Sequence, residues 1–180
     1  ETLEEILCRI RVSIDLNVFE LSSENRRILR KGDKILIDKY TIPYIEYDWE
    51  IGKLAKDFYD LKAPGDFSVN KIKEIITTNH NFNTLLDFSK LGYVICYENK
   101  EILHYSYPFY DLEKSPKDMG LIMMTIAIAE AQTLGLKYIY LGSLQRPTDI
   151  YKLQFSGIEW FDGKVWSKDL EEVKRLLNTI

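Results

Sequence analysis

The segment from Lys137 to Gly163 places side chains suited to ligand chemistry directly after a strand-like run. Tyr138 to Leu141 are residue types that sheet interiors use, whereas Gly142 begins a polar stretch that brings back Tyr151 and Lys152. Tyrosine rings stack on planar groups and their hydroxyls form hydrogen bonds, while a lysine ammonium holds an anion such as a phosphate. The elements around this segment must explain why a core strand continues into a mixture of polar, aromatic and charged residues.

The composition is that of one globular domain. The 180 residues are 46% hydrophobic and 29% charged, enough to bury a core. The most apolar run, Gly120 to Ala129, is too short to cross a bilayer and predicts a buried helix. The first residues lack the pattern of a secretion signal. Cys8 and Cys96 form no CxxC pair, so neither a disulfide scaffold nor a zinc site is supported. We expect a cytoplasmic protein with no metal and no membrane partner.

The first half predicts a strand followed by helices. Apolar residues alternate from Cys8 to Phe19 as in a half-buried strand, and Ser22 or Ser23 then caps a short basic helix that stops at Gly32. An extended stretch and two amphipathic helices follow, the first capped by Asp48. The predicted buried positions are Ile10, Val12, Ile14, Leu16 and Val18 in the strand, Ile51, Leu54, Phe58 and Leu61 in one helix, and Val69, Ile72, Ile75 and Ile76 in the other.

The second half predicts three successive strands, a long helix, and a further strand, hairpin and helix. The second and third strands join as a hairpin at Asn99-Lys100. The long helix runs from about Lys117 to Leu134 with Gly135 as its stop. The later hairpin turns at Asp162-Gly163, and Ser167 caps the terminal helix.

The order of these elements is that of the GNAT acyltransferase core. We therefore expect one α+β, GNAT-like domain over residues 1–180, with a mixed, mostly antiparallel sheet flanked by helices. The strands around Leu103 to Tyr107 and Tyr138 to Leu141 should be neighbours that splay apart.

The loop before the long helix is where acetyl-CoA-dependent members of that fold bind phosphate. Their pattern is Gln or Arg, two residues, Gly, one residue, then Gly or Ala. This chain has Lys117, Gly120 and Ile122 at those positions, so one position of three matches. Pro116 also removes a backbone N–H from the loop, and Asp118 adds negative charge. Acetyl-CoA is therefore the donor only in an alternative hypothesis.

A basic cluster contrasts with the acidic average of the chain. The net charge of −4 argues against a general nucleic-acid binder and gives no reason to expect DNA binding. The cluster contains Arg26, Arg27, Arg30, Lys31 and Lys34, and its first four members share one side of the predicted helix. An ordinary solvated helix face would explain this basic cluster, and so would a binding surface for a phosphate backbone.

Four short motifs follow one another in the second half: Tyr110-Asp111, Met119-Gly120, the run Leu134 to Gly142, and Tyr151-Lys152. They resemble the C-terminal, GNAT-like domain of the arginyl- and leucyl-tRNA–protein transferases. That family carries Tyr-Asp, Leu-Gly, a Leu-Gly-Leu-x-Tyr-x-Tyr-Leu-Gly run and Tyr-Lys in this order. The segment CRIRVSIDLNVFELSSENRRILRK is similar to the family's Arg-Val strand and Ser-x-x-x-Arg-Arg helix. The resemblance is most specific from Tyr110 to Phe155.

The chain also departs from the family pattern. We expect the family's cysteine-rich N-terminal module to be absent, with Cys8 as its last trace. Thr148-Asp149 replaces a Lys-Met, and Ser143-Leu144 replaces an aromatic pair. These changes fall where the donor or the acceptor would bind.

The resemblance implies transfer of an amino acid from aminoacyl-tRNA to the N-terminal amine of an acceptor protein. The ester is already activated, so no metal, cofactor or covalent intermediate is needed. Orientation of the reactants is needed, and it supplies about 7–11 kcal/mol of the barrier. A donor that polarises the carbonyl and a proton acceptor would add to it.

The resemblance also implies roles for individual residues. Tyr140 and Tyr151 would contact the adenosine, Lys152 its phosphate, and Asp111 the incoming ammonium group. The predicted catalytic residues are Asp111, Tyr140 and Tyr151. The predicted substrate-binding residues are Ser106, Tyr107, Gly120, Gly142, Ser143, Gln145 and Lys152, and the predicted tRNA-binding residues are Arg26, Arg27, Arg30 and Lys31.

Each of these residues also has an ordinary explanation. Tyr140 fits a core aromatic, Gly142 a turn, Lys152 a surface position and Asp111 a cap or turn. His104 fits a satisfied histidine within a strand rather than a catalytic base. His80 is predicted to be inert, and Cys96 to be a small buried side chain rather than a nucleophile.

Three functions therefore stay open. The first is aminoacyl-tRNA-dependent transfer to a protein N-terminus or similar amine. The second is acetyl-CoA-dependent N-acetylation on the same fold, and the third is a non-catalytic binding module. Stabilisation of the folded protein by aminoacyl-tRNA or by CoA separates them.

Overall fold

The helices and strands follow the hydrophobic patterns of the sequence. The computed structural model describes residues 10–65 and 68–178. The strands are β1 (Arg11–Asp15), β2 (Ile37–Thr41), β3 (Thr84–Phe88), β4 (Gly92–Glu98), β5 (Ile102–Tyr110), β6 (Tyr138–Ser143), β7 (Ile158–Phe161) and β8 (Trp166–Ser167). The helices are α1 (Ser23–Lys31), α2 (Trp49–Lys62), α3 (Val69–Thr77), α4 (Met119–Thr133), a 3₁₀ helix (Pro147–Gln154) and α5 (Leu170–Leu177).

The strands form a mixed, mostly antiparallel sheet. Their order is β2-β3-β4-β5-β6-β1-β7-β8. The pairs β2/β3, β3/β4, β1/β6, β1/β7 and β7/β8 are antiparallel, whereas β5 and β6 are parallel. Leu103 of β5 lies opposite Ile139 of β6. The predicted α+β class and the predicted β5–β6 neighbours are thus confirmed, while the splaying of these two strands stays a prediction.

The chain divides into two compact units, and α1, β5 and α4 contribute residues to both. The first unit consists of the described parts of Glu1–Arg26, Lys100–His104 and Ile128–Ile180. The second consists of the described parts of Arg27–Asn99 and Tyr105–Ala127. That the whole chain is one domain stays a prediction.

One face of β1 supplies the core of the first unit. Val12 and Ile14 are fully buried and lie opposite Trp160 and Ile158 of β7. The indole Nε1 of Trp160 donates to the carbonyl oxygen of Asp169 at 2.9 Å, which satisfies its buried donor. Because side chains alternate along a strand, the other face of β1 carries Arg11, Ser13 and Asp15.

The second unit has a separate aromatic-rich core. Tyr59 of α2 packs edge-on against Phe58, and its hydroxyl donates to the carbonyl of Pro108 at 2.9 Å. Helices α2 and α3 and strands β3 to β5 bury their apolar faces here. The buried cluster is Ile42, Ile51, Ala55, Phe58, Tyr59, Ile72, Ile75, Ile76, Leu85, Tyr93, Ile95 and Phe109.

Most helix-end predictions hold. The Ser22 hydroxyl accepts from the N–H of Asn25, and the Asn25 side chain accepts from the N–H of Ser22, so Ser22 is the cap of α1. Asp48 accepts from the N–H of Ile51 at the start of α2. Gly135, beyond the end of α4, has φ +77°.

The predicted cap of the terminal helix was wrong. Asp169 accepts from the N–H groups of Glu171 and Glu172 and is the cap of α5. Ser167 ends β8, and its hydroxyl accepts from the N–H of Asp169 instead. Asp169 takes the position because its carboxylate reaches two N–H groups of the first turn.

Two predicted core positions are exposed. Val18 is 56% exposed because β1 ends at Asp15, whose carboxylate accepts from the N–H of Asn17 and turns the chain. Leu61 is 69% exposed because α2 turns Ala55 and Tyr59 toward the core. Cys8 lies outside the described residues.

Gly157 is predicted to be far less replaceable than Gly135. Both have positive φ, which costs an alanine about 1–2 kcal/mol. A Cβ at Gly157 would lie 2.8 Å from the carbonyl oxygen of Asp15, whereas a Cβ at Gly135 would meet nothing within 4 Å. Gly157→Ala should therefore lower the free energy of unfolding by about 1–3 kcal/mol more than Gly135→Ala. Urea unfolding of the two variants measures the difference, and equal losses would contradict the overlap.

Candidate functional site

Strand β6 ends with an irregularity at Gly142. Val12 lies opposite Gly142 while Ser13 lies opposite Tyr140, so Leu141 is an extra residue in β6. Gly142 has φ +83°, and no atom lies within 4 Å of the position that a Cβ would take. Such bulges bend a strand and are common beside active sites. Gly142 is therefore a bulge residue within β6 rather than the turn residue that the sequence allowed, and the space beside it is open.

Lys152 reaches back to this strand end. Its Nζ donates to the carbonyl oxygen of Ser143 at 2.8 Å. Burial is the main cause that lowers the pKa of Lys152, with Asp149 raising it and Arg146 lowering it. The reading of Lys152 as a simple surface residue does not fit this enclosed position. An enclosed ammonium bonded to a neutral carbonyl favours an anionic ligand.

Asp149 builds the turn that carries Lys152. Its carboxylate accepts from the N–H of Gln145 at 3.0 Å and from the N–H of Arg146 at 3.1 Å, before the 3₁₀ helix begins. The replacement of Lys-Met by Thr148-Asp149 thus has a local structural role. Tyr151, on the same helix, is 41% exposed.

The face of the sheet opposite the core carries aromatic and polar side chains. His104, Tyr140, Ser13 and Glu159 lie in one row across β5, β6, β1 and β7. The rings of His104 and Tyr140 meet edge-on with centroids 6.3 Å apart. Burial, together with Arg11, lowers the pKa of His104, so its imidazole is neutral at pH 7.

Phe161 and Trp166 extend this face beyond Tyr140. The two residues lie opposite each other across the β7–β8 hairpin, with ring centroids 5.2 Å apart. The Trp166 ring also meets Tyr140 edge-on at 5.9 Å. Neither residue was among the predicted site residues. A two-residue turn at Asp162-Gly163 would set Phe161 opposite Lys164, whereas the observed four-residue connection sets Phe161 opposite Trp166.

The second unit holds the remaining predicted residues except Arg26, beginning with Asp111. Its carboxylate accepts from the N–H groups of Glu113 and Lys114 at 2.9 and 2.8 Å. These bonds, the one from Lys114 foremost, lower the pKa of Asp111. Its local structure is therefore that of a turn residue, and its catalytic role stays a prediction.

The loop before α4 is already bonded within the protein. The N–H of Gly120 donates to the hydroxyl of Tyr110, and the N–H of Ile122 donates to the carbonyl of Asp118. Asp118 has φ +68°, and its carboxylate accepts from Lys31. At the start of α4, the N–H groups of Gly120 and Ile122 are thus engaged within the protein.

The basic residues of α1 are exposed, as a nucleic-acid contact requires. Arg26, Arg27, Arg30 and Lys31 all lie on the exposed side of the helix. Arg26 belongs to the first unit and donates to the carbonyl of Leu21, while the other three belong to the second. Lys31 pairs with Asp118 at 2.5 Å. The exposure of these four residues does not test whether they contact tRNA, so that contact stays a prediction.

The other candidates of the second unit occupy ordinary positions. Tyr107 is half-buried and meets Phe82 edge-on at 5.2 Å, and Ser106 is half-buried beside it in β5. Cys96 is fully buried, and burial raises the pKa of its thiol. His80 is exposed and stacks on Phe82.

The structure brings part of the predicted site together. Tyr140, Gly142, Ser143, Gln145 and Lys152 gather around the end of β6 in the first unit, and Tyr151 lies on the same 3₁₀ helix as Lys152. The predicted residues Ser106, Tyr107, Asp111 and Gly120 belong to the second unit.

Within the residues that the structure describes, there is neither a metal-binding cluster nor a membrane-spanning helix. Over residues 10–65 and 68–178, no group of three or more His, Cys, Asp or Glu side chains is arranged to hold a metal ion. Within the same ranges no helix has the length and apolar character needed to cross a membrane.

Comparison with solved structures identifies the fold class. The C-terminal domain of a lysylphosphatidylglycerol synthetase from Agrobacterium fabrum superposes with a TM-score of 0.55 and 12% identity, over 80% of this chain and 49% of that chain. L-PGS from Bacillus licheniformis superposes with a TM-score of 0.57 and 11% identity, over 94% of this chain and 56% of that one. The fold is the GNAT-like α+β fold that the sequence predicted.

This chain spans about half the length of those two chains. No protein-family model and no curated protein sequence matches it. The two structural neighbours are not arginyl- or leucyl-tRNA–protein transferases, so the predicted family is not confirmed. The two neighbours confirm the predicted fold and not the predicted family.

Proposed function

We propose that this protein is an aminoacyltransferase that takes its amino acid from aminoacyl-tRNA. The observation that carries the proposal is the enclosed Lys152 ammonium at the open end of β6 in a GNAT-like fold. The names of the two structural neighbours and the Tyr110 to Phe155 motifs add independent support. The acceptor atom attacks the ester carbonyl, and the 3′-terminal ribose hydroxyl of the tRNA leaves with a proton.

The proposed donor site uses the residues around the end of β6. Lys152 holds the terminal phosphate of the donor, and Tyr140 and Tyr151 contact its adenosine. Gly142 leaves space beside the strand end for the ester. The reaction needs orientation rather than a covalent intermediate, because the ester is already activated.

Acetyl-CoA is the weaker donor candidate. A CoA pyrophosphate needs free backbone N–H groups before α4, but the N–H of Gly120 is bonded to Tyr110 and Pro116 has none. Asp118 places a carboxylate in the same loop, where Lys31 pairs with it. An aminoacyl-adenosine carries only its linking phosphate, which Lys152 can hold.

A lipid hydroxyl is the acceptor that we propose first. An amine acceptor arrives as an ammonium ion and needs a carboxylate, but Asp149 accepts from two N–H groups and Glu159 pairs with Lys168 at 3.3 Å. Asp111, in the second unit, is also bonded in a turn. A neutral hydroxyl needs no such partner, and the neutral His104 is suited to accept its proton. The name of the Agrobacterium fabrum neighbour, a lysylphosphatidylglycerol synthetase, also points to a lipid product.

A protein N-terminal amine is the second candidate, and the Tyr110 to Phe155 resemblance favours it. The chemical stability of the product distinguishes the two. Labelled amino acid delivered from tRNA to a hydroxyl gives an ester that mild alkali removes, whereas delivery to an amine gives an amide that survives. We expect alkali-labile label in phospholipid vesicles and none in peptides. Alkali-stable label in peptides alone would replace the lipid acceptor by the amine.

A further inference from the structure

Three aromatic rings from strands β6, β7 and β8 form a continuous surface in the first unit, and the small Ser13 of the intervening β1 lies between them. Tyr140 of β6, Phe161 of β7 and Trp166 of β8 are linked through Trp166, at centroid distances of 5.9 Å to Tyr140 and 5.2 Å to Phe161. We call these three residues the aromatic track. It lies on the face of the sheet opposite the buried Val12 and Trp160.

The track is open to solvent at its outer end. Trp166 is 43% exposed although its ring packs on two others, while Tyr140 and Phe161 are half-buried. Ser13, which lies opposite Tyr140 and is 2% exposed, is a small side chain between larger ones. A row of large, partly exposed rings costs solvation free energy unless a ligand covers it.

Cationic side chains accompany the rings. Arg11 lies opposite Phe161 in the β1–β7 register, and its exposed side chain donates to the carbonyl of Ile10 at 2.9 Å. Lys168 follows β8 and lies 3.3 Å from Glu159. Lys164, in the hairpin turn, is exposed. Aromatic rings with adjacent cations are the combination with which proteins bind single-stranded nucleic acid.

We propose that the aromatic track binds the single-stranded 3′ end of the tRNA donor by stacking of its bases. This inference rests on the proposed function, because the track begins at Tyr140 of β6, the strand whose Ser143 carbonyl binds the Lys152 proposed to hold the terminal phosphate. The nucleotides before the terminal adenosine then continue over Trp166 and Phe161. Arg11 neutralises their phosphates.

The positions of the rings favour RNA over a membrane surface. A membrane-docking hairpin presents its apolar side chains outward, as Val165 does at 61% exposure. Trp166 is held against Tyr140 and Phe161 on the sheet face. Membrane docking would thus depend on Val165 as well as Trp166, whereas base stacking depends on the rings of the track and not on Val165.

The test is binding of a fluorescently labelled, 12-nucleotide single-stranded RNA that ends in CCA, followed by anisotropy. Trp166→Ala should weaken binding at least about tenfold, the loss typical of one stacked base, and Trp166→Phe should restore most of it. Trp49→Ala removes a tryptophan that is 71% exposed in α2 and should leave affinity unchanged. Val165→Ser should also leave it unchanged. Thermal unfolding by circular dichroism verifies that each variant is folded.

Unchanged RNA affinity in folded Trp166→Ala would overturn the inference. The inference would also be overturned if Trp166→Ala and Val165→Ser each abolished binding to anionic phospholipid vesicles and neither changed the affinity for RNA. The RNA assay requires no transfer. If RNA binding depends on Trp166 but the protein transfers no amino acid, the aromatic track is retained and the aminoacyltransferase proposal is rejected. If the protein transfers amino acid efficiently but its RNA binding does not depend on Trp166, the aminoacyltransferase proposal is retained and the track is rejected.

Discussion

Lys152→Met is expected to lower the rate of amino-acid transfer from tRNA at least about tenfold, which corresponds to about 1.4 kcal/mol of lost charge-assisted hydrogen bonding. Methionine keeps an unbranched stem of similar length, so the variant removes the ammonium group while it retains packing. Single-turnover transfer from labelled aminoacyl-tRNA measures the effect. The matched control is Lys73→Met, which removes an exposed lysine of α3.

The stability of Lys152→Met separates a ligand-binding role from a structural one. Burial lowers the pKa of Lys152, so the unfolded chain binds this proton more tightly than the folded protein does. Wild-type stability should therefore rise relative to Lys152→Met as the pH approaches about 10.4, the value of an unfolded lysine. At pH 7 the variant should unfold no more easily than wild type. A variant that is both inactive and strongly destabilised at pH 7 would instead assign Lys152 to the structure of the turn.

The second large effect concerns helix α1. Replacement of Arg27 and Arg30 by glutamate should weaken tRNA binding at least about tenfold and reduce the slope of log K against log salt by about two. The physical reason is the loss of two phosphate contacts and of the counterions that they release. Both side chains are exposed, so the melting temperature should change little. Filter binding of tRNA between low and moderate salt gives both quantities.

A control with the same change in net charge is available in α2 and α3. Lys62→Glu/Lys73→Glu also replaces two exposed cations by anions, on helices away from α1 in sequence. It should alter tRNA affinity only slightly. Equal losses in the two double variants would show that net charge alone governs binding, and α1 would then be an ordinary solvated helix face.

The secondary structure was largely predictable because each element carries its own signals. The alternation through Val12 and Ile14 and the cap at Asp48 act within a few residues, and the structure preserves them. The errors arose where local signals competed. Asp15 ends β1 early through a side-chain turn, so Val18 is exposed, and Asp169 replaces Ser167 as a cap because it reaches two N–H groups.

The candidate site was less predictable because it depends on register between strands distant in sequence. Lys152 and Gly142 were found from the motifs, but the bond from Lys152 to Ser143 depends on the turn that Asp149 forms. Trp166 was missed because its ring meets Tyr140 only after β1 has inserted between β6 and β7. No local pattern encodes that order.

The most direct test of the central claim is the choice of donor. The protein is mixed with phospholipid vesicles and an acceptor peptide, and either ¹⁴C-labelled aminoacyl-tRNA or ¹⁴C-labelled acetyl-CoA is added. We expect label from aminoacyl-tRNA to appear in an acceptor in the wild type and to fall at least about tenfold in Lys152→Met, with no product from acetyl-CoA. Acetylated product with no aminoacyl transfer would contradict the account in favour of an acetyltransferase, and absence of both products would identify a binding module.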